Sequence, residues 1–216
     1  MGGKPAAGGG RWVEVPPERL ERWLAGFTER HGEGRTDVAA DVVTVHGADG
    51  AIAECHAPFP PLVIGVRDPL EALVTHTATD RRVGVLLVRL GGYAAGIFEG
   101  TRLVVSKVDT RPVHGRNKAG GWSQQRFARR REGQARQLTE AAAAVAERVL
   151  LPEAGTLDAV VLGGDRAAVD TTLENRTLAP LRQLAVERFL TVPDPRRTIL
   201  EATPEAFRAA RIRVAP

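Results

Sequence analysis

Three β-rich runs follow one another with almost nothing between them: VGVLLVRL from Val83, YAAGIFEG from Tyr93 and TRLVVSKVD from Thr101, separated by a glycine pair and a Gly-Thr step. Parallel neighbours need a crossover of a dozen residues or more, whereas antiparallel neighbours need only a tight turn. The run therefore predicts an antiparallel meander. Beyond it the period changes: Phe127, Leu138, Ala142, Val145 and Val149 recur at helical spacing, which predicts one long helix from about Ser123 to about Leu151, ended by Pro152.

The flanks fill in around this block. Pro16 and Pro17 open a helix with Leu20, Trp23, Leu24 and Phe27 on one side and a glycine cap, and Asp41 to Cys55 reads as a hairpin joined through Gly47 to Gly50. Downstream, LDAVVLGGD is a buried strand entering a turn. Arg166 to Glu174 and Pro180 to Val186 follow as helices, ERFLTV as a strand, and Pro204 to Ile212 as a last helix. Strands first and α/β alternation later predict an α/β fold of the α+β kind, one mixed sheet with helices packed on it. Residues 1–10 are expected to be a flexible tail, and 11–216 a single domain to which the N-terminal helix and hairpin, about 16–56, are attached.

With 43% apolar and 26% charged residues the chain can bury a substantial core. No apolar run is long enough for a membrane span and MGGKPAAGGG lacks the apolar centre of a secretory signal, so a cytoplasmic protein without membrane contact is expected. A single cysteine, Cys55, excludes an internal disulfide and a multi-cysteine zinc site. The net charge of +4 is unevenly placed: residues 107–136 hold nine Lys or Arg against two acids, leaving the remainder at −3. Arginine so outnumbers lysine, alongside much Ala, Gly and Val, that a GC-rich bacterial genome is indicated; clustering rather than abundance carries the argument.

That cluster is HGRNKAGGWSQQRFARRR, residues 114–131, between the third strand of the meander and the long helix. Basic residues lie both before the helix (Arg111, Arg116, Lys118) and in its first turns (Arg126, Arg129, Arg130, Arg131), a distribution able to follow a phosphate backbone. Cations at a helix N-terminus oppose the macrodipole and are a poor choice for stability alone. Gly115, Gly120 and Gly121 allow the backbone close approach to a substrate. Elsewhere the signals are structural. Cys55 and His56 are strand neighbours that point to opposite faces, His31, His46, His76 and His114 lack metal-ligand spacing, and Gly163-Gly164-Asp165 reads as a tight strand-to-helix turn with Asp165 as N-cap. A phosphate site at that turn is the competing reading. No metal and no cofactor are expected.

GGWSQQRFARRR resembles the signature of the archaeal and eukaryotic peptide-chain release factors, in which Gly-Gly-Gln is followed by a Ser-x-x-Arg-Phe-Ala-Arg-x-Arg helix start. Gly120, Gly121, Ser123, Arg126, Phe127, Ala128, Arg129 and Arg131 match in order, and His114, Gly115 and Arg116 resemble the preceding His-Gly-Arg, with Asn117 to Ala119 as an insertion. Trp122 stands where those factors have glutamine, and the glutamines come later, at Gln124 and Gln125. This displacement resembles the Vms1-like release-factor group of peptidyl-tRNA hydrolases in ribosome rescue. The resemblance implies a catalytic-domain fold of the ribonuclease-H-like, mixed-sheet kind. It also implies peptidyl-tRNA and large-subunit RNA as partners, and quality-control factors on the ribosome.

An amide is not a general base, but a glutamine can hold a water through its C=O and NH₂, and backbone N–H groups at Gly120 and Gly121 can orient the ester or stabilise its oxyanion. Gln124 is the first choice for that role and Gln125 the second. Arg111, His114, Arg116, Lys118, Arg126, Arg129, Arg130 and Arg131 would contact RNA, and Trp122 would stack on a nucleotide or pack against the domain. Two other readings remain open: an endonuclease that cuts the tRNA near its 3′ end, and a noncatalytic ribosome- or RNA-binding module. A metal-dependent nuclease fits poorly, because the basic stretch offers only Asp109 and Glu132 as acids.

Overall fold

The computed structural model describes the backbone of residues 4–5, 9–110 and 123–216, and the side chains of residues 9–110 and 132–216. In chain order the elements are β1 (Lys4–Pro5), β2 (Arg11–Val15), α1 (Pro17–His31), β3 (Thr36–Ala39), β4 (Val42–His46), β5 (Ile52–His56) and α2 (Pro69–Ala78). Next come β6 (Arg82–Arg89), β7 (Gly92–Glu99), β8 (Arg102–Thr110), α3 (Ser123–Val149), β9 (Ala159–Gly164), α4 (Arg166–Leu173) and α5 (Ala179–Gln183). The chain ends with β10 (Ala185–Leu190), α6 (Arg197–Glu201), α7 (Thr203–Phe207) and β11 (Ala210–Ala215). Where the sequence grouped 11–216 together, the chain divides into two compact units, residues 1–79 with 204–216, and residues 80–203.

The first unit is a six-stranded antiparallel sheet in the order β1-β2-β11-β5-β4-β3. Its core lies on one sheet face. Leu20, Leu24 and Phe27 recur at helical spacing along α1 and are buried with Val43, Val45, Ala53, Cys55 and Ile212. Pro17 at the first helical position and Gly32 at φ +75° bound α1 as its sequence predicts. Asp68 caps α2, its carboxylate accepting from the backbone N–H groups of Leu70 and Glu71. Lys4–Pro5, inside the expected tail, pairs with β2.

Two sequence expectations change here. The sheet is not single, because the hairpin β4–β5 pairs with β11, not with the meander. The terminal helix also stops at Phe207, and Ile212 lies in a central strand. Arg211, Ile212, Arg213 and Val214 alternate polar and apolar, and that period of two wins once β2 and β5 offer backbone partners on both sides.

The second unit is a five-stranded mixed sheet in the order β10-β9-β6-β7-β8. The meander β6-β7-β8 is antiparallel as predicted, while β9 runs parallel to both β6 and β10. Val83–Val88 and Gly92–Phe98 are all buried, so the two central strands are covered on both faces. On one face Val88, Tyr93, Ala95 and Ile97 join a core with Leu138, Ala142, Val145, Ala146 and Leu150 from α3 and its end, and with Val169 and Leu173 of α4. Gly96 faces the other way, and a Cβ there would meet Leu200 of α6 at 3.0 Å and Leu103 of β8 at 2.9 Å. The 27 residues of α3 make it about 40 Å long, the longest of the described elements. Its end comes at Val149, just before Pro152, and a 3-10 turn over Leu151–Thr156 leads to β9.

Cys55 is buried in β5, and loss of solvation pushes its thiol up to about 12. The raised value favours the protonated, unreactive form. Iodoacetamide at pH 8 should therefore modify Cys55 at least about a hundredfold more slowly in the native protein than in urea, as read by mass spectrometry.

Candidate nucleic-acid interface

The basic stretch occupies the junction between β8, which ends at Thr110, and α3, which begins at Ser123. Arg111, His114, Arg116, Lys118, Gly120, Gly121 and Trp122 lie outside the described residues, as do the side chains of Gln124, Gln125, Arg126, Arg129, Arg130 and Arg131. The backbone does show that Gln124 and Gln125 are in the first turn of α3, directly after the helix start that the sequence predicts at Ser123. That turn contains no acid, so the partial positive charge of its free N–H groups meets no carboxylate from its own residues.

Register fixes where the junction leaves the sheet. Gly92 pairs with Thr110 and with Arg89, and Val88 pairs with Gly164, while Leu190 pairs with Gly163. The carboxyl ends of β6, β8, β9 and β10 therefore share one end of the sheet, the end at which open α/β sheets place their ligands. The exit is held tightly. Tyr93 Oη donates to Asp109 Oδ2 at 2.9 Å, and a Cβ on Gly92 would lie 2.6 Å from the Asp109 carbonyl oxygen.

The same end carries cations that the sequence reading missed. Arg89 donates from Nη1 to the Val192 carbonyl at 2.8 Å and lies 3.6 Å from Asp194, and the Arg166 guanidinium stacks 4.2 Å from the Phe189 ring centre. Arg89 and Arg166 are exposed: Arg89 ends β6, and Arg166 opens α4 two residues after β9, the strand that pairs with β6. They are far apart in the chain, and the β6–β9 pairing that puts both at this end of the sheet has no local pattern to show it.

Other candidates resolve as structure. Gly164 has φ +106°, and a Cβ there would fall on the Val88 carbonyl oxygen, while one on Gly163 would lie 2.7 Å from the Leu190 carbonyl oxygen. Asp165 N–H donates to Val88 O at 2.8 Å, and its carboxylate accepts from Ala168 N–H at 3.0 Å. The glycine pair serves close strand packing and Asp165 caps α4, as the turn reading expects. His31 bonds Asp49 and His46 bonds Asp37, each at 2.9 Å, and His76 bonds the Pro58 carbonyl at 2.7 Å. His56 lies 5.2 Å from the Trp12 ring, and burial holds it below the ordinary histidine value. Among the described residues no His, Cys, Asp or Glu cluster is able to hold a metal, and no helix is long and apolar enough to cross a membrane.

Residues 81–213, more than half of the chain, match the family described as "Actinobacteria/chloroflexi VLRF1 release factor". No curated protein sequence matches the chain. Among solved structures it is similar to "Crystal structure of archaeal translation termination factor, aRF1", with TM-score 0.44, 18% identity and 89% of this chain covered. It spans 62% of that protein's length. It is also similar to "Vms1 mitochondrial localization core", with TM-score 0.47 and 10% identity over 93% of this chain and 82% of that one.

Because Gly164 has both a positive φ and no room for a side chain, Gly164→Ala should cost at least about 2 kcal/mol in urea unfolding. Asp165→Ala, which removes only the cap, should cost about 1 kcal/mol.

Proposed function

The chain belongs to the actinobacterial and chloroflexi VLRF1 release factor family, and from that premise we propose that it is a peptidyl-tRNA hydrolase acting on stalled large ribosomal subunits. The observation that carries this reading is the family match over residues 81–213, which takes in the whole basic junction with Gly120, Gly121, Gln124 and Gln125. The start of α3 directly before Gln124 supports it, since a first-turn residue belongs to a rigid element on one side and to the glycine-bearing segment on the other.

In this mechanism the Gln124 side chain holds a water against the ester carbonyl, its C=O accepting a hydrogen bond from the water and its NH₂ fixing the orientation. The water oxygen bonds to the carbonyl carbon, the oxyanion that forms is met by backbone N–H groups near Gly120 and Gly121, and the bond from that carbon to the tRNA 3′ oxygen breaks as the 3′ oxygen takes one of the water's protons. Gln125 is the second candidate for the amide. Arg111, His114, Arg116, Lys118, Arg126, Arg129, Arg130 and Arg131 bind phosphates of the tRNA acceptor end and large-subunit RNA, with Trp122 stacking on a base. The protein works in the cytoplasm without a cofactor, together with the quality-control factors that recognise a stalled subunit.

Purified protein added to large subunits carrying peptidyl-tRNA should release the peptide and leave the tRNA 3′ end intact. A shortened tRNA would instead identify an endonuclease, and an unchanged substrate a noncatalytic binding module. Gln124→Ala should lower release by about a hundredfold or more while subunit binding persists. Full release by that variant together with loss in Gln125→Ala would move the role by one residue.

A further inference from the structure

We propose that Tyr93 and Asp109 form a positioning clamp that fixes the end of β8, from which the chain enters the basic stretch, and that peptide release depends on it, an inference that rests on the hydrolase reading above. Asp109 is the last residue but one of β8, and Tyr93 is its direct cross-strand partner. The Tyr93 ring is buried in the core that α3 seals, and its hydroxyl reaches outward to donate to the Asp109 carboxylate at 2.9 Å. One side chain thus ties Asp109, near the end of β8, to the core on which the second half of α3 packs.

The surroundings favour a clamp over a chance contact. Gly92 leaves space for the Asp109 and Thr110 backbone: a Cβ on Gly92 would stand 2.6 Å from the Asp109 carbonyl, 3.3 Å from Thr110 Cα and 3.4 Å from the Pro195 carbonyl. Asp109 is also one of only two acids in the strongly basic stretch 107–136. An outward carboxylate there would repel the phosphates that its neighbours are suited to bind. Bonded to Tyr93, it is held on the sheet. The sheet itself does not depend on this one bond, since β7 and β8 pair along their whole length. Loss of the hydroxyl should therefore be felt in the rate of release, which is sensitive to small misplacements, before it is felt in the fold.

The test is single-turnover release from peptidyl-tRNA on large subunits. Tyr93→Phe and Asp109→Ala should each lower the rate at saturating protein about tenfold, with the half-saturating concentration changed by less than about twofold. The double variant should be no slower than either single, because both remove one interaction. Asp109→Asn, whose amide oxygen still accepts from the tyrosine, should stay within about twofold of the parent. Amide hydrogen exchange gives a readout independent of activity: in Tyr93→Phe it should quicken in residues 105–110 and 123–131 and stay unchanged in β9. Parent-like release by Tyr93→Phe, or losses that multiply in the double variant, overturns the positioning role. A parent protein that releases no peptide overturns the hydrolase reading instead; exchange then decides the clamp, faster exchange supporting it and unchanged exchange overturning it.

Discussion

The burial of β6 and β7 on both faces is the constraint from which the second unit follows. Apolar side chains on two sides of a strand pair demand cover on two sides, and α3 with α4 supplies one face while Leu200 of α6 meets β7 on the other. The edges need backbone partners as well. β9 takes the free edge of β6 and β8 that of β7, which makes β8 one edge of the sheet, with β10 the other. The chain leaves β8 at Thr110, at the end of the sheet shared by the carboxyl ends of β6, β9 and β10, and α3, which begins at Ser123, packs on the apolar face.

α3 reconciles two demands by dividing them along its length. Its first three turns hold Arg126, Arg129, Arg130 and Arg131, and a cation in the first turn, where Arg126 lies, opposes the macrodipole by about 0.3–1 kcal/mol. Its second half buries Leu138, Val145 and several alanines, and Leu150 follows at its end; each large apolar side chain so buried contributes about 1.5–3 kcal/mol. Burial wins, and a helix anchored by its C-terminal half can carry a basic beginning that its own stability does not favour. On the proposed function, stability and RNA affinity fall to different turns of one element.

What was legible in the sequence is what local chemistry decides. The meander, the span of α3, the α1 stripe and the Gly163-Gly164-Asp165 turn each rest on periodicity or on a capping residue a few positions away. Partnerships across the chain were not legible. ARIRVA alternates as a strand should, but the preceding Thr203–Phe207 segment is helical, and nothing nearby says that β2 and β5 will flank Ile212. β2 and β3 escaped for the same reason, being short runs whose identity depends on pairing. At the interface the motif is plain in residues 114–131, whereas Arg89, Arg166 and the Tyr93–Asp109 bond become neighbours only through strand register.

Two helices of eight residues or more begin at the carboxyl ends of this sheet's strands, and their first turns differ in kind. α4 follows β9 through a turn in which Asp165 supplies its own carboxylate to the Ala168 amide, so the positive end of that helix is already neutralised. α3 has no acid in its first turn, and arginines follow within the next. An anion approaching this end of the sheet meets at α4 a terminus whose Ala168 amide is already taken by Asp165. On the proposed hydrolase reading, the glutamine pair falls on the helix whose first turn lacks an acid, not on the one that Asp165 already caps.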